Sequence, residues 1–184
     1  MSTVITQILT ADACDFTRAG ISVLWAARCV DIDALTFDAD RKLDSITMVG
    51  STTFKRIEFE KNTAFFTQAK TKIKSATNVA QTISFVEAGL SNEVRNALED
   101  LNCNCCLFVI VKDNAGVLHA FGVSYNATTD TYQFEDMRTG EGSANSGADP
   151  TADSAEFIET LVANASFYAN QLTLTEFGIP VPVT

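Results

Sequence analysis

The chain has 184 residues, of which 46% are hydrophobic and 20% are charged, and its net charge is −10 at pH 7. This size fits a single domain, residues 1–184, and the composition excludes a disordered or collagen-like protein. An acidic excess of this strength argues against nucleic-acid binding, because DNA and RNA are themselves polyanions. No apolar run reaches the roughly 18 residues of a membrane span, and the first eleven residues lack the basic start of a signal peptide. We therefore expect no membrane association.

The charge is distributed unevenly along the chain. Residues 1–112 contain 12 of the 13 basic residues against 13 acidic ones, whereas residues 113–184 contain only Arg138 against 10 acidic ones. Within the first part, residues 53–74 contain six basic and two acidic residues. Such a split is typical of solvated faces that keep a protein soluble, and it also permits opposite poles that stack head to tail.

β-Strand signals dominate the first half of the sequence. Runs of β-branched and aromatic residues predict strands at residues 21–30, 45–49, 53–60, 64–73 and 79–86. Asn62 and Thr63 are typical turn residues between two of these runs. Residues 53–74 are therefore predicted to form one long hairpin.

A single helix is predicted at about residues 91–102. Ser91 or Asn92 can cap its start, and Glu93 lies in the first turn, where it favours the helix dipole. The apolar residues that follow have the spacing of a helix lying on a core: Val94, Ala97, Leu98 and Leu101.

The last third again has β character. Strands are predicted at residues 107–111, 117–124, 131–137, 156–168 and 172–177. After the predicted strand at 131–137, residues 139–151 contain three glycines and a proline and are predicted to be a long loop. Asp113–Gly116 is predicted to be a hairpin turn. Residues 156–168 also fit a helix, but their context favours a strand.

Cysteine and histidine usage indicates no chemistry. The five cysteines are odd in number, and three of them crowd into residues 103–106, which does not resemble a secreted disulfide framework or a zinc site. We expect a reducing compartment and buried thiols that act as small hydrophobes. His119 is the single histidine, and an isolated histidine in a strand is more often structural than catalytic. We nominate no catalytic, cofactor-binding or metal-binding residue and expect no enzyme and no cofactor.

The order of these elements resembles that of a known family. The residues that carry the resemblance are Cys14-Asp15, Gly20-Ile21, Ile46–Met48, Phe54, Glu60, Thr63-Ala64, Thr67, Val109–Leu118, Gly122 and Thr139-Gly140. In this arrangement the chain resembles the tail tube proteins of tailed bacteriophages, in particular virion structural proteins of phages infecting Bacteroidetes. The best stretch is Val109–Leu118, the strand–turn–strand after the single helix. The chain departs from the expected pattern near residues 151–170, which are rich in alanine and glutamate.

The resemblance implies a mainly β fold, a β-sandwich or barrel flanked by one helix. It implies that copies of the chain form hexameric rings, which stack into a tube through which genomic DNA passes without specific binding. The partners would be other copies and other tail or neck proteins, and the location would be the virion, after assembly in the host cytoplasm. An acidic channel wall would repel phosphates and let the duplex slide.

Two other classes stay open. One is a neck, tail-completion or head–tail connector ring of the virion. The other is a monomeric β-sandwich binding module, or a small enzyme that uses the loop at residues 139–151.

The candidate contacts between subunits and rings are charged residues of the basic stretch and of the acidic last third. The hairpin at 53–74 and the loop at 139–151 would form these contacts. The basic candidates are Lys55, Arg56, Lys70, Lys72 and Lys74, and the acidic candidates are Asp130, Glu135, Asp136, Glu141, Asp149 and Asp153.

Overall fold

The middle strands of a five-stranded antiparallel sheet are buried on both faces. The computed structural model describes residues 20–73, 76–88, 96, 99–103, 106–126, 128–145, 156–165, 169–173 and 178–180. The strand order in this central sheet is Asn170–Gln171 (β14), Leu118–Phe121 (β8), Leu107–Asp113 (β7), Ile21–Arg28 (β1) and Lys55–Ile57 (β4). In β1, Leu24 and Ala26 belong to one core cluster, whereas Trp25 and Ala27 belong to another. Two-sided burial is the reason that β1 and β7 are continuously apolar rather than alternating.

A second antiparallel sheet, the flanking sheet, covers one face of the central sheet. Its strand order is Arg138–Thr139 (β11), Glu156–Ala165 (β13), Ala76–Ala88 (β6) and Phe65–Ile73 (β5), and Ser143–Asn145 (β12) also pairs with β13. Ile83, Phe85 and Leu161 of this sheet pack against Val109 and Phe121 of the central sheet. All five side chains are buried, so this cluster is one of the two main sources of apolar stabilisation.

Two hairpins cover the opposite face of the central sheet. Their strands are Ile32–Phe37 (β2) with Leu43–Met48 (β3), and Val123–Asn126 (β9) with Thr131–Phe134 (β10). Leu35 and Leu43 pack in the second core cluster with Phe108. Phe37 of one hairpin stacks on Tyr125 of the other, with ring centroids 4.5 Å apart. The described part of the chain is therefore three-layered, with a helical segment that includes residues 96 and 99–102.

Gly122 marks the point at which the chain leaves the central sheet for the hairpin layer. It lies between β8 and β9 with a φ of +79°, a conformation that non-glycine residues rarely adopt. A Cβ atom there would lie 2.5 Å from the carbonyl oxygen of Leu107. The change of layer therefore depends on the absence of a side chain at this position.

The mainly β character and the single predicted helix are confirmed for the described residues. The turn at Asp113–Gly116 is confirmed as well: Asp113 and Val117 are joined by a 2.9 Å backbone hydrogen bond, and Gly116 has a φ of +86°. Glu156–Ala165 is a strand, as its context indicated. The strand β2 was not predicted from the sequence.

The predicted hairpin at residues 53–74 is wrong. The strand β4 pairs with β1 in the central sheet, whereas β5 pairs with β6, from Phe65 opposite Ser84 to Ile73 opposite Ala76. The turn at residues 60–63 does exist, since the N–H of Thr63 donates to the carbonyl of Glu60, but it lies where the chain crosses between sheets. Phe59 anchors this crossing against the first core cluster. The long hairpin is therefore β5–β6.

Two further predictions, the loop at 139–151 and the helix at about 91–102, fall partly outside the described residues. The predicted loop at 139–151 is wrong for its described part, because β11 and β12 both pair with β13. The rest of that loop, from residue 146, is outside the described residues, and so is Leu98 of the predicted helix. Leu101 is half-buried and packs against the first core cluster, which agrees with the predicted apolar stripe.

The expectation that the cysteines are all free thiols is also wrong. Cys29 and Cys106 form a disulfide with a Cα–Cα distance of 5.5 Å, while Cys103 is free and exposed. The two half-cystines are 77 positions apart in sequence, but the pairing of β1 with β7 places them opposite each other, just beyond Arg28 and Leu107. Spacing along the chain could not reveal this pairing.

We expect Cys29→Ala to lower the free energy of unfolding by about 2–4 kcal/mol, because the disulfide closes a long loop in the unfolded chain. Thermal unfolding with and without reductant measures this effect. Reductant should destabilise the parent and the control Cys103→Ala but leave Cys29→Ala unchanged. A parent whose melting temperature did not respond to reductant would contradict the prediction.

Candidate functional site

A charged cleft of about 770 Å³ lies beside β4, at the end of the central sheet where the disulfide lies. Its apolar lining includes Ala26, Ile57, Phe85, Leu101 and Leu107, most of which belong to the first core cluster or pack against it. Charged residues share the lining with them: Arg28, Asp31, Lys55, Arg56, Glu58, Glu87 and Asp100. The cleft thus joins an apolar floor to charged groups of both signs.

Two ion pairs satisfy part of this charge. Arg28 donates two hydrogen bonds of 2.8 Å to the carboxylate of Asp31, from Nε and from Nη2. Arg56 Nε lies 3.2 Å from Glu58 Oε1, and both of these side chains are largely exposed. Exposed pairs of this kind contribute at most about 1 kcal/mol each, so they shape the rim more than they stabilise the fold.

Glu87 is the electrostatically strained member of the cleft. Its Oε2 atom is buried and has no hydrogen-bond partner among the described residues. Burial raises the pKa of the Glu87 carboxyl above its ordinary 4.5, and the nearby charge of Glu58 raises it further. Burial also raises the pKa of Glu159, on the neighbouring strand β13. This end of the flanking sheet therefore holds two carboxylates whose ionised forms are disfavoured by burial.

The outward face of the flanking sheet is unlike the cleft because its strand residues carry almost no charge. The face is formed by Phe65, Thr67, Ala69 and Thr71 of β5, Asn78, Ala80, Thr82, Ser84 and Val86 of β6, and Ile158, Thr160, Val162 and Asn164 of β13. None of these residues belongs to either described core cluster, and all are exposed or half-buried. The charged residues at register positions on this side are Arg138, opposite Val162 on the short edge strand β11, and Glu156 at the start of β13. We call this surface the uncharged face.

The predicted basic candidates do not form one patch. Lys55 and Arg56 lie on β4 and line the cleft, close to Glu58 and Glu87. Lys70 and Lys72 lie on β5 in the other sheet, near the turn of the β5–β6 hairpin. Lys74 lies outside the described residues.

The predicted acidic candidates are dispersed as well. Asp130 lies in the β9–β10 turn and accepts a 2.6 Å hydrogen bond from the Tyr125 hydroxyl. Glu135 and Asp136 follow β10, and Glu141 lies beside β13, where its carbonyl oxygen accepts a hydrogen bond from Thr160. Asp149 and Asp153 lie outside the described residues.

Sequence analysis missed the groups that the fold brings together at the cleft. Glu58 and Glu87 are 29 positions apart and were not nominated, because nothing in the sequence shows that β4 and the end of β6 converge. The uncharged face did leave a signal. Alternate residues of β6, from Asn78 to Val86, are all uncharged in a chain that is 20% charged.

His119 occupies a supporting position. Its Nε2 atom lies 3.1 Å from Asp113 Oδ2, and its ring contacts that of Phe66. The other carboxylate oxygen of Asp113 accepts hydrogen bonds from the N–H groups of Ala115 and Val117. His119 therefore supports the β7–β8 turn.

Comparisons with protein-family models, with curated proteins and with solved structures find no match to this chain. Within the described ranges, no group of three or more histidine, cysteine or acidic side chains could hold a metal ion. No helix in the same ranges is long and apolar enough to cross a membrane. The fold and site define a mainly β, layered antiparallel protein with one charged cleft and one uncharged sheet face among the described residues.

We expect Glu87→Gln to raise the melting temperature at neutral pH but not below about pH 4. The folded-state pKa of Glu87 is raised, so its contribution to stability is fully present below the unfolded pKa and is lost as pH rises through the folded pKa. Gln removes that loss while keeping the shape. Thermal unfolding across this pH range measures the effect, with the exposed Glu60→Gln as control. Equal pH profiles for the parent and Glu87→Gln would contradict it.

Proposed function

We propose that this chain is a structural virion protein whose copies form rings, hexameric in the family it resembles, that stack into a phage tail tube. The observation that carries the proposal is the flanking sheet, which combines two open edges with an uncharged outward face. The resemblance at Val109–Leu118 supplies the family, and the mainly β fold agrees with it.

The open edges support self-assembly. Within the described residues, β5 is an edge strand nine residues long, and the opposite edge is formed by the short strands β11 and β12. An exposed edge presents unpaired N–H and C=O groups, which another chain can pair with. Joining such edges in a closed ring leaves no edge exposed and so prevents uncontrolled aggregation.

The uncharged face supports the channel. The inner face of the flanking sheet is covered by its own central sheet, so a ring that joins flanking sheets leaves the uncharged face free to line the lumen. A wall that is uncharged except near its edges, where Arg138 is the cation, gives the phosphates of a duplex little to bind. The acidic wall expected from the net charge would likewise leave the phosphates without cations to bind.

The disulfide supports a virion location. Disulfides persist where the environment is oxidising, as it is outside a cell, and Cys29–Cys106 would form after release from the reducing cytoplasm. A particle that is assembled in the host cytoplasm and works outside it meets both conditions.

Two alternatives remain as candidates. A neck, tail-completion or connector ring would use the same sheet edges but would not stack on copies of itself. A monomeric binding module is favoured by the cleft of about 770 Å³, a size within the range of ligand sites.

Electron microscopy of the concentrated, purified protein tests the proposal. We expect rings and stacked tubes with a central channel. Rings that never stack would favour a neck or connector protein. A protein that stays monomeric under all conditions, including with other tail proteins added, would overturn the proposal.

We also expect the assembled parent to retain no duplex DNA in a gel-shift experiment at low salt, because the net charge of −10 per chain outweighs the Arg138 cation at the edge of the wall. Thr82→Lys places a cation in the centre of the uncharged face, repeated in every subunit, and should produce salt-sensitive retention. Thr47→Lys is the matched control, because Thr47 is exposed on β3 in the hairpin layer. Retention by the parent, or equal retention by both variants, would contradict the assignment of this face to the lumen.

A further inference from the structure

The β5–β6 hairpin extends past the end of the sheet to which it belongs. The pairing of β13 with β6 ends at Ala165 opposite Val79, whereas β5 pairs with β6 as far as Ile73 opposite Ala76. Among the described residues, the last three residue pairs thus form a ribbon of two strands, about 10 Å long. A two-stranded ribbon is marginally stable in water on its own, so a partner that packs on it would stabilise it.

The end of this hairpin is basic. Lys70 and Lys72 lie opposite Val79 and Thr77, and both lysine side chains are exposed. No ion pair joins either lysine to another residue of the described chain. We call this feature the basic tip.

Four carboxylates lie at the opposite end of the same sheet, together with the basic residues Lys55 and Arg56 of β4, of which Arg56 pairs with Glu58. Glu87 lies ten residues further along β6 than Thr77, so the two ends are roughly 30 Å apart. Glu58 and Glu159 lie at this end with Glu87, and the N–H of Glu60 donates to the carbonyl of Val86 there. We call the group of Glu58, Glu60, Glu87 and Glu159 the acidic base.

The tip and the base lie on the same face of the flanking sheet. Successive residues of a strand alternate between faces, and the odd-numbered residues Val79 to Phe85 of β6 are buried against the central sheet. Thr77 and Glu87 continue this alternation at the two ends, so Lys72 and Lys70 share the face of Glu87. A second copy that is displaced along the strand direction, without being turned over, therefore brings its basic tip to the acidic base of the first.

We propose that the basic tip of one copy docks at the acidic base of the next, so that copies stack head to tail along the strands of the flanking sheet. The lysine ammonium groups supply the compensating charge that the buried Oε2 atom of Glu87 does not find among the described residues of its own chain. The contact is heterologous, since the two surfaces differ, and a heterologous contact along one axis generates an open stack rather than a closed dimer. The proposal deepens the proposed function, because it identifies the surfaces by which rings stack.

Charge reversal at exposed residues tests the contact without endangering the fold. Lys70→Glu/Lys72→Glu reverses the tip, and Glu58→Lys/Glu60→Lys reverses the base at two exposed positions. We expect each double variant alone to form rings that no longer stack, and an equal mixture of the two to form mixed stacks. Arg41→Glu/Lys42→Glu is the control, because it changes the charge equally in the turn between β2 and β3, which belongs to the hairpin layer and lies outside both surfaces. Sedimentation and electron microscopy at low and moderate salt provide the readout, and unfolding curves confirm that each variant is folded.

Zero-length carbodiimide cross-linking detects the contact even when stacks are short. With a mixture of isotopically light and heavy copies, we expect mixed-label cross-links that join Lys70 or Lys72 to residues of the acidic base. Their yield should fall roughly tenfold or more in Glu58→Lys/Glu60→Lys, which keeps Lys70 and Lys72, and should recover when this variant is mixed with Lys70→Glu/Lys72→Glu, whose acidic base is intact.

The outcomes separate the two proposals. Stacking of Lys70→Glu/Lys72→Glu like the parent, or loss of stacking in the control, would overturn the docking contact while leaving the ring in place. Absence of both rings and mixed-label cross-links in the parent would overturn the ring and the docking contact together.

Discussion

The architecture depends on the burial of β1 and β7 on both faces. Leu24 and Val109 face the flanking sheet, while Trp25 and Phe108 face the hairpins, so each strand contributes to two hydrophobic cores. A strand in this position can carry no charge on either side, because an unpaired buried charge costs several kcal/mol. The charges of the described residues consequently lie at the strand ends, in the turns and in the outer layers.

That confinement explains the location of the cleft. The central sheet ends just beyond Arg28 of β1, where the disulfide joins Cys29 to Cys106. The neighbouring strand β4 is only three residues long, and the cleft lies beside it. Charged residues excluded from the core gather here, including Glu87, which is half-buried and whose Oε2 atom has no hydrogen-bond partner in the part of the chain that the structure describes. A stable fold can tolerate one carboxylate with an unpaired oxygen, and a cation from another molecule that reaches this carboxylate can form an ion pair with it.

In the proposed assembly, the uncharged face and the charged ends of the flanking sheet would have complementary roles. A surface made mainly of threonine, serine, alanine and valine offers little attraction or repulsion to a passing polyanion, so it would suit the wall of a channel. Charges at opposite ends of the same sheet give each subunit a direction, and individually weak exposed ion pairs act together when a ring repeats them. The lateral edges would then join subunits within a ring, the outward face would line the channel, and the two charged ends would join successive rings.

The sequence by itself determined the class of fold and much of its local structure. Continuous apolar runs predicted β1 and β7, the glycine at position 116 predicted the turn after β7, and helical spacing predicted the segment that contains Leu101. These features follow from short-range preferences of the backbone and from burial periodicity, which a sequence displays directly. Partner choice is different, because it depends on contacts between residues far apart in the chain. Only the tertiary structure assigned β4 to the central sheet and paired β5 with β6. It alone joined Cys29 to Cys106 and brought Glu58 close to Glu87. Strands with similar local signals can pair in several ways, and the shared core selects one of them.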